Sequence, residues 1–141
     1  MTAPFFGAAS ERIATMTLGA DSRSITVELL DSPAIRWTEV NYAWLSPLGD
    51  IIRIGTSKQP IGGRLAAYAK DINKRLQFDK GSTPAWEAEA WLQKLGQFGH
   101  LTAYVHLPDE VDTVAGPVRP YLDIERALIA KHRPLLNRSH R

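Results

Sequence analysis

The sequence contains no cysteine. Disulfide frameworks, thiolate nucleophiles and thiolate metal sites are therefore excluded. No apolar run approaches the ~20 residues that cross a bilayer. Residues 1–10 also lack the basic start and long apolar core of a signal peptide. We therefore expect a protein that works in the cytoplasm and away from membranes.

An excess of charge of one sign is also nearly absent, because the net charge is +2 for 141 residues. The charge is unevenly distributed: it sums to −3 over residues 1–50, +5 over 51–80, −5 over 81–125 and +5 over 126–141. Two basic blocks around an acidic one fit two segments that converge on a polyanion. They fit equally well a set of solvated faces with a basic tail.

The length is typical of one domain, and the pattern of residues predicts strands first. Residues 24–30 are rich in β-branched and apolar side chains and predict a strand. Residues 40–46 and 51–55 surround the turn Pro47-Leu48-Gly49-Asp50 and predict a hairpin. A four-residue loop sets Tyr42 opposite Gly55 and Trp44 opposite Arg53.

Alternation along this hairpin separates two faces. The core face is expected to carry four apolar residues, Ala43, Leu45, Ile52 and Ile54. The other face carries Tyr42, Trp44 and Arg53. We interpret this aromatic and polar face as a candidate working surface.

Helical periodicity begins after Pro60. The stripe of this first helix comprises Ile61, Leu65, Tyr68, Ile72 and Leu76, and Arg64 lies one turn before Tyr68. A second helix is predicted over residues 84–95, with Trp86 and Trp91 packed inward. A strand over residues 101–107 precedes a last helix over 121–132, which ends before Pro134.

One carboxylate of the last helix falls on the wrong side of it. At 100° per residue, Glu125 and His132 lie within the apolar arc of this helix. A core-facing carboxylate is costly unless it is paired or binds a metal. Glu125 is therefore a candidate metal ligand or a candidate buried partner of Arg64. We expect His132 to be a packed or hydrogen-bonded histidine.

Four motifs in order resemble those of the GIY-YIG nuclease family. They are Val40-Asn41-Tyr42, Arg53-Ile54-Gly55, the stretch from Gly55 through Arg64 to Tyr68, and Glu125 followed by Pro134 and Asn137. The resemblance covers residues 40–137. It implies an α+β fold with a small three-stranded antiparallel sheet flanked by helices, here with an extra N-terminal strand.

The resemblance also implies domain boundaries. Residues 1–38 would form an N-terminal extension containing a strand, and residues 39–141 would form the nuclease-like domain. The stretch between Arg64 and Glu125 is longer than in compact members of the family, which indicates an insertion near residues 77–100. We expect all of these segments to form one compact unit.

The activity that the resemblance implies is metal-dependent hydrolysis of phosphodiester bonds by an endonuclease of restriction or repair type. Mg²⁺ or Mn²⁺ would be the cofactor, and nucleic acid, with double-stranded DNA favoured, would be the partner. By position, Tyr42 would activate or orient the attacking water, Arg64 would hold the scissile phosphate and Glu125 would bind the metal. Tyr68 takes a place often filled by histidine or tyrosine near the nucleophile.

Further residues would support this site. Asn137 would brace it, and Trp44 would support Arg53. The expected contacts to nucleic acid come from basic residues, namely Lys58, Arg64, Lys70, Arg133 and Arg138.

These residue types suit the chemistry. Phosphodiester hydrolysis needs an activated water and charge compensation on the phosphoryl oxygens. A guanidinium donates to phosphate in a planar, two-pronged way, and Mg²⁺ is commonly held by one or two carboxylates, water and phosphate. A tyrosine is a poor base at its usual pKa of about 10, so a nearby cation would have to lower that pKa.

The sequence departs from the family pattern at Arg53, which replaces the tyrosine of the second motif, and at Val40, which replaces a glycine. Arg53 cannot act as a base, but it could stabilise a phenolate, bind phosphate or stack on Trp44. The alternative function is therefore a catalytically inactive, nuclease-like module that binds nucleic acid.

A third interpretation is an unrelated α/β protein in which Glu125 and Arg64 form a structural pair. In one form of this interpretation His100 and His106 bind zinc, although two histidines are weak evidence of a metal site. The recognition sequence, the choice between DNA and RNA, and assembly as a homodimer stay open.

Overall fold

The computed structural model describes residues 10–137, in which five strands form one antiparallel sheet. The strands are β1 (Ser10–Leu18), β2 (Ile25–Leu29), β3 (Val40–Leu45), β4 (Ile51–Ser57) and β5 (His100–His106). Their order is β2-β1-β5-β3-β4, so β5 pairs with both β1 and β3.

The predicted three-stranded sheet is therefore too small. Strands β3, β4 and β5 are the three that were expected, and the predicted N-terminal strand is β2. Strand β1 was missed, and it joins β2 to β5 through antiparallel ladders on both of its sides. Residues 10–29 thus belong to the same sheet as the hairpin.

In the described part of the chain, three helices cover the sheet: α1 (Ile61–Phe78), α2 (Ala85–Phe98) and α3 (Tyr121–His132). Each follows a proline at its N-cap, where the missing N–H has no helical partner to lose. A 3₁₀ helix (Pro33–Arg36) precedes β3, and a short ribbon, β6 (Val111–Thr113) and β7 (Gly116–Val118), precedes α3. No helix within residues 10–137 is long and apolar enough to cross a membrane.

The helices lie on opposite faces of the sheet, so both faces are buried. Helices α1 and α2 cover the larger core, which includes Tyr42 and Trp44. Helix α3 covers a smaller core through Ile129, which packs with Ala43, Leu45, Ile54 and Tyr104. The face of Tyr42 and Trp44 is therefore not an open working surface, because these side chains are only 1% and 0% exposed.

Two further packing predictions are wrong. A shift in register between Trp44 and Leu45 in the β3–β4 ladder breaks the alternation, and Ile52 packs in the larger core with Tyr42. Trp86 is 52% exposed, whereas Trp91 on the same helix is fully buried as expected. The cause is the helical period, which places only Trp91 on the side of α2 that faces the sheet.

The segment after α3 lies along the edge of β4. The backbone N–H of Leu136 donates to the carbonyl of Ile52 over 2.8 Å. The side chain of Asn137 accepts from the N–H of Ile54 over 3.0 Å and donates to its carbonyl over 2.9 Å. Asn137 thereby satisfies two backbone groups that an edge strand would otherwise leave unpaired.

Candidate active site

Tyr42 lies across the neighbouring strand with its hydroxyl next to that of Tyr68. The predicted pairing of Tyr42 with Gly55 is confirmed. A Cβ atom added to Gly55 would lie 2.5 Å from Cζ of Tyr42, so only glycine leaves room for this ring. The two hydroxyl oxygens, Tyr42 Oη and Tyr68 Oη, are 2.5 Å apart. A strand residue and a helix residue are thus joined at one point.

Arg64 approaches this point from the first turn of α1. It is an exposed residue, and the neighbouring Tyr42 hydroxyl raises the pKa of its guanidinium. Arg64 lines a cavity of about 220 Å³ between α1 and α2 and also a shallower one of about 600 Å³ formed with residues 56–60. Its charge is therefore available to a ligand from both sides.

Tyr68 lies between the arginines and the aromatic core. Burial, followed by the neighbouring Tyr42, raises the pKa of Tyr68 well above its usual value, against the opposing effects of Arg53 and Arg64. The ring of Tyr68 meets Trp44 and Trp91 edge to face, with centroids 5.6 and 5.5 Å apart. These rings fix the direction of the Tyr68 hydroxyl.

Arg53 enters the cavity from β4, opposite Trp44 as predicted. Its Cζ lies 5.8 Å from the centroid of the Tyr68 ring, and its Nη1 lies 3.0 Å from Oε2 of Glu87. Burial lowers the pKa of Arg53, but the adjacent Tyr68, Tyr42 and Glu87 outweigh burial and raise it. Arg53 is therefore charged and held in place.

The smaller cavity brings Arg53, Arg64 and Tyr68 together at one polar opening. Its walls comprise Arg53, Arg64, Ala67, Tyr68, Asp71, Ile72, Ser82, Thr83 and Glu87. Two guanidinium groups next to tyrosine hydroxyls suit a multivalent oxyanion such as phosphate.

Glu125 belongs to a different layer of the molecule. It is half-buried on α3, which packs against β3 and β4 on the face opposite α1. Its role as a metal ligand stays a prediction. Residues 10–137 contain no cluster of three or more histidine, aspartate or glutamate side chains that could hold a metal. The zinc interpretation built on His100 and His106 therefore gains no further ligand.

The predicted basic contacts are spread over the surface. Lys58 follows β4 and lines the larger cavity with Arg64. Lys70 is exposed on α1, but six residues after Arg64 it projects about 120° away from it. Arg133 lies beside residues 49–51 at the other end of β4, roughly 20 Å from Lys58. Arg138 lies outside the described residues.

Two acidic residues of the cavity were missed by sequence reasoning. Glu87 is 2% exposed and lies one turn before the buried Trp91, so the helical geometry that singled out Glu125 would also have singled out Glu87. Asp71 follows Tyr68 by three residues, and this spacing places both on one face of α1. Both lay outside the four motifs.

The fold is shared with solved nuclease structures. No family model and no curated protein matches the sequence. Restriction endonuclease HPY188I in complex with product DNA matches with a TM-score of 0.53 and 15% identity, over 92% of this chain and 79% of that chain. A mutant of bacteriophage T4 EndoII matches with a TM-score of 0.54 and 13% identity, over 89% of this chain and 91% of that chain. At these identities the similarity is one of fold, and this chain has the α+β fold of two nucleases.

Proposed function

We propose that this chain is an endonuclease of the GIY-YIG type that hydrolyses phosphodiester bonds in nucleic acid, with double-stranded DNA as the favoured substrate. One observation carries the proposal: Arg53, Arg64 and Tyr68 line one polar cavity, and the Tyr68 hydroxyl contacts the buried hydroxyl of Tyr42. The fold supports it, because one neighbour is a restriction endonuclease in complex with product DNA. The order of the sequence motifs supports it independently. A cytoplasmic location is part of the same proposal.

The cluster provides a hydroxyl that orients water and two phosphate ligands. The hydroxyls of Tyr42 and Tyr68 share one short hydrogen bond, in which either oxygen can be the donor. The Tyr42 hydroxyl also lies beside Arg64, and it raises the pKa of the Arg64 guanidinium. In the reaction, the Tyr42 hydroxyl orients the attacking water. Arg64 and Arg53 stabilise the charge on the phosphoryl oxygens in the transition state.

The acidic groups of the described residues fit a divalent cation only as part of a site completed by the substrate. Glu87 is engaged with Arg53, and residues 10–137 contain no group of three or more histidine, aspartate or glutamate side chains that could hold a metal. Glu125, half-buried on α3, would hold Mg²⁺ or Mn²⁺ by one carboxylate, with water among the other ligands. Because α3 packs on the sheet face opposite α1, a phosphate would meet this cation only if the substrate also reaches α3. When bound, the cation supplies charge stabilisation for the leaving oxygen.

A second candidate is a module that binds nucleic acid without cutting it. The burial of Tyr42, which is 1% exposed, favours this candidate because a reacting water must reach its hydroxyl. Arg53 also cannot replace the hydroxyl of the second motif. Such a module would keep a strongly salt-dependent affinity for polyanions through its basic side chains.

Nicking of supercoiled plasmid in Mg²⁺, Mn²⁺ or EDTA tests the proposal. We compare the wild type with Tyr42→Phe, Arg64→Ala and Glu125→Ala, and use Arg126→Ala as the matched control. Arg126 neighbours Glu125, is 69% exposed and pairs only over the surface with Asp123 at 2.8 Å.

We expect metal-dependent nicking that the three site variants reduce by about 100-fold or more and that Arg126→Ala retains. Circular dichroism and thermal unfolding establish that each variant is folded. Nicking in EDTA, or full activity of Glu125→Ala, would contradict the role given to the cation. Salt-dependent binding without any nicking would favour the binding module.

A further inference from the structure

Glu87 is a buried carboxylate that no motif of the sequence explains. It lies on α2 at 2% exposure. Its Oε2 accepts from Nη1 of Arg53 over 3.0 Å and from Nε1 of Trp91 over 3.4 Å. Burying a carboxylate costs free energy unless the carboxylate is paired, so the contact with Arg53 is what allows Glu87 to be buried here.

The contact with Glu87 determines where the guanidinium of Arg53 points. The side chains of Arg53 and Glu87 are 16% and 3% exposed, so neither can turn into bulk water without moving the cavity wall. Glu87 engages Nη1, and Nε of Arg53 is buried with no hydrogen-bond partner among the described residues. The Tyr68 ring lies 5.8 Å from Cζ of Arg53. Two neighbours therefore restrain the guanidinium of Arg53.

We propose that Glu87 is a positioning residue that holds Arg53 at the cavity, in the orientation in which its guanidinium meets a phosphate oxygen. Helix α2 is then part of the site, although it lies within the segment that resembled an insertion. This role rests on the proposed function, because Arg53 contributes to a reaction only if the chain cuts.

The charge of the pair gives the proposal its second basis. Glu87 compensates Arg53 in the resting protein through an ion pair of 3.0 Å, and Arg64 lines the same cavity. A guanidinium buried without a partner is unfavourable, so a neutral side chain at position 87 would weaken the hold on Arg53. Glu87 thus keeps two cations close together where their mutual repulsion would separate them.

A double-mutant cycle tests whether Glu87 acts through Arg53. Its members are Glu87→Gln, Arg53→Gln and the double variant. The matched control is Glu89→Gln, the same chemical change on the same helix. Glu89 pairs with Arg23 at 2.9 Å, but both side chains are more than half exposed.

We expect Glu87→Gln to lower kcat for cutting by about 10- to 100-fold with little change in KM, and Glu89→Gln to have no effect. In the Arg53→Gln background, Glu87→Gln should cause no further loss, because the group that it positions is gone. Additive losses, or an unchanged kcat in folded Glu87→Gln, would overturn the proposal.

A second variant and a second measurement separate a loss of positioning from a loss of folding and from a failure of the proposed function. Removing one partner of a buried pair can unfold the chain, so Glu87→Asp serves as a second variant that keeps the charge on a shorter side chain. We expect a smaller fall in kcat for it, and wild-type activity would count against positioning.

The nuclear magnetic resonance signal of the Arg53 Nε–H group reports on its position without any reaction. We expect it to be resolved and slow to exchange in the wild type and lost in Glu87→Gln. An unchanged signal rejects the role of Glu87, whereas absence of nicking by the wild type rejects the proposed function.

Discussion

Replacing Gly55 by alanine tests whether the position of the Tyr42 hydroxyl matters to cutting. The added Cβ would lie 2.5 Å from Cζ of Tyr42, whereas ordinary contact begins at 3.4 Å. The ring must therefore move by ~1 Å, which changes the position of its hydroxyl relative to Tyr68 and Arg64. Because Tyr42 is buried on all sides, this overpacking should cost about 1–3 kcal/mol of stability. A displacement of this size at a reacting group typically costs about 100-fold in rate.

Gly96→Ala provides the matched control. Gly96 is exposed near the end of α2, and no atom lies within 4 Å of a Cβ added there. Alanine favours the helix over glycine by up to about 1 kcal/mol, so this variant should be slightly more stable than the wild type.

Thermal unfolding and plasmid nicking, measured on both variants, provide the two readouts. For Gly55→Ala we expect the Tm to fall by about 3–10 °C and the nicking rate to fall by about 100-fold. Wild-type values of both quantities in Gly55→Ala would refute the reasoning, because Tyr42 would then not need the space above the glycine.

Three further predictions follow from single contacts. The pKa of Tyr68 is raised in the folded chain above its usual value of 10.0. Its contribution to the free energy of unfolding is therefore full below about pH 10 and declines as the pH rises beyond that value. Tyr68→Phe should flatten this decline when the free energy of unfolding is measured in urea. Asn137→Ala leaves the N–H and carbonyl of Ile54 without their partners, and should cost about 2–4 kcal/mol in the same measurement. Arg64→Lys keeps the charge but loses two-pronged donation, so nicking should fall about tenfold or more while the salt dependence of DNA binding is retained.

Local features of the fold could be predicted from the sequence. The register of Tyr42 with Gly55 and of Trp44 with Arg53 depends only on loop length and alternation. The stripe of α1 depends only on helical spacing. Strand β1 was missed because a register shift between Arg12 and Ala14 breaks its alternation, so that the consecutive residues Ile13 and Ala14 are both buried. Burial of both hairpin faces could not be predicted, because it depends on how the three helices pack against the sheet.

The candidate site, like the fold, could be predicted from the sequence only in part. Tyr42, Arg64 and Tyr68 were predicted together because a hairpin and the helix after it bring them close. The partner of Arg53 could not be named, because the position of Glu87 depends on how α2 packs against the rest of the molecule. The metal-binding role of Glu125 rests on its motif and on the apolar arc of its helix, and stays a prediction.

The order of the strands has a consequence for how the chain is made. Strands β1 and β2 form one hairpin and β3 and β4 another, and each can close as soon as it is synthesised. Within residues 10–137, β5 is the only strand that joins the two hairpins, since it pairs with β1 on one side and β3 on the other. We therefore expect the sheet of a nascent chain to stay divided into two hairpins until residues through His106 have left the ribosome. Before that point Tyr42, Arg64 and Tyr68 would all be present, but the sheet beneath them would lack its central strand.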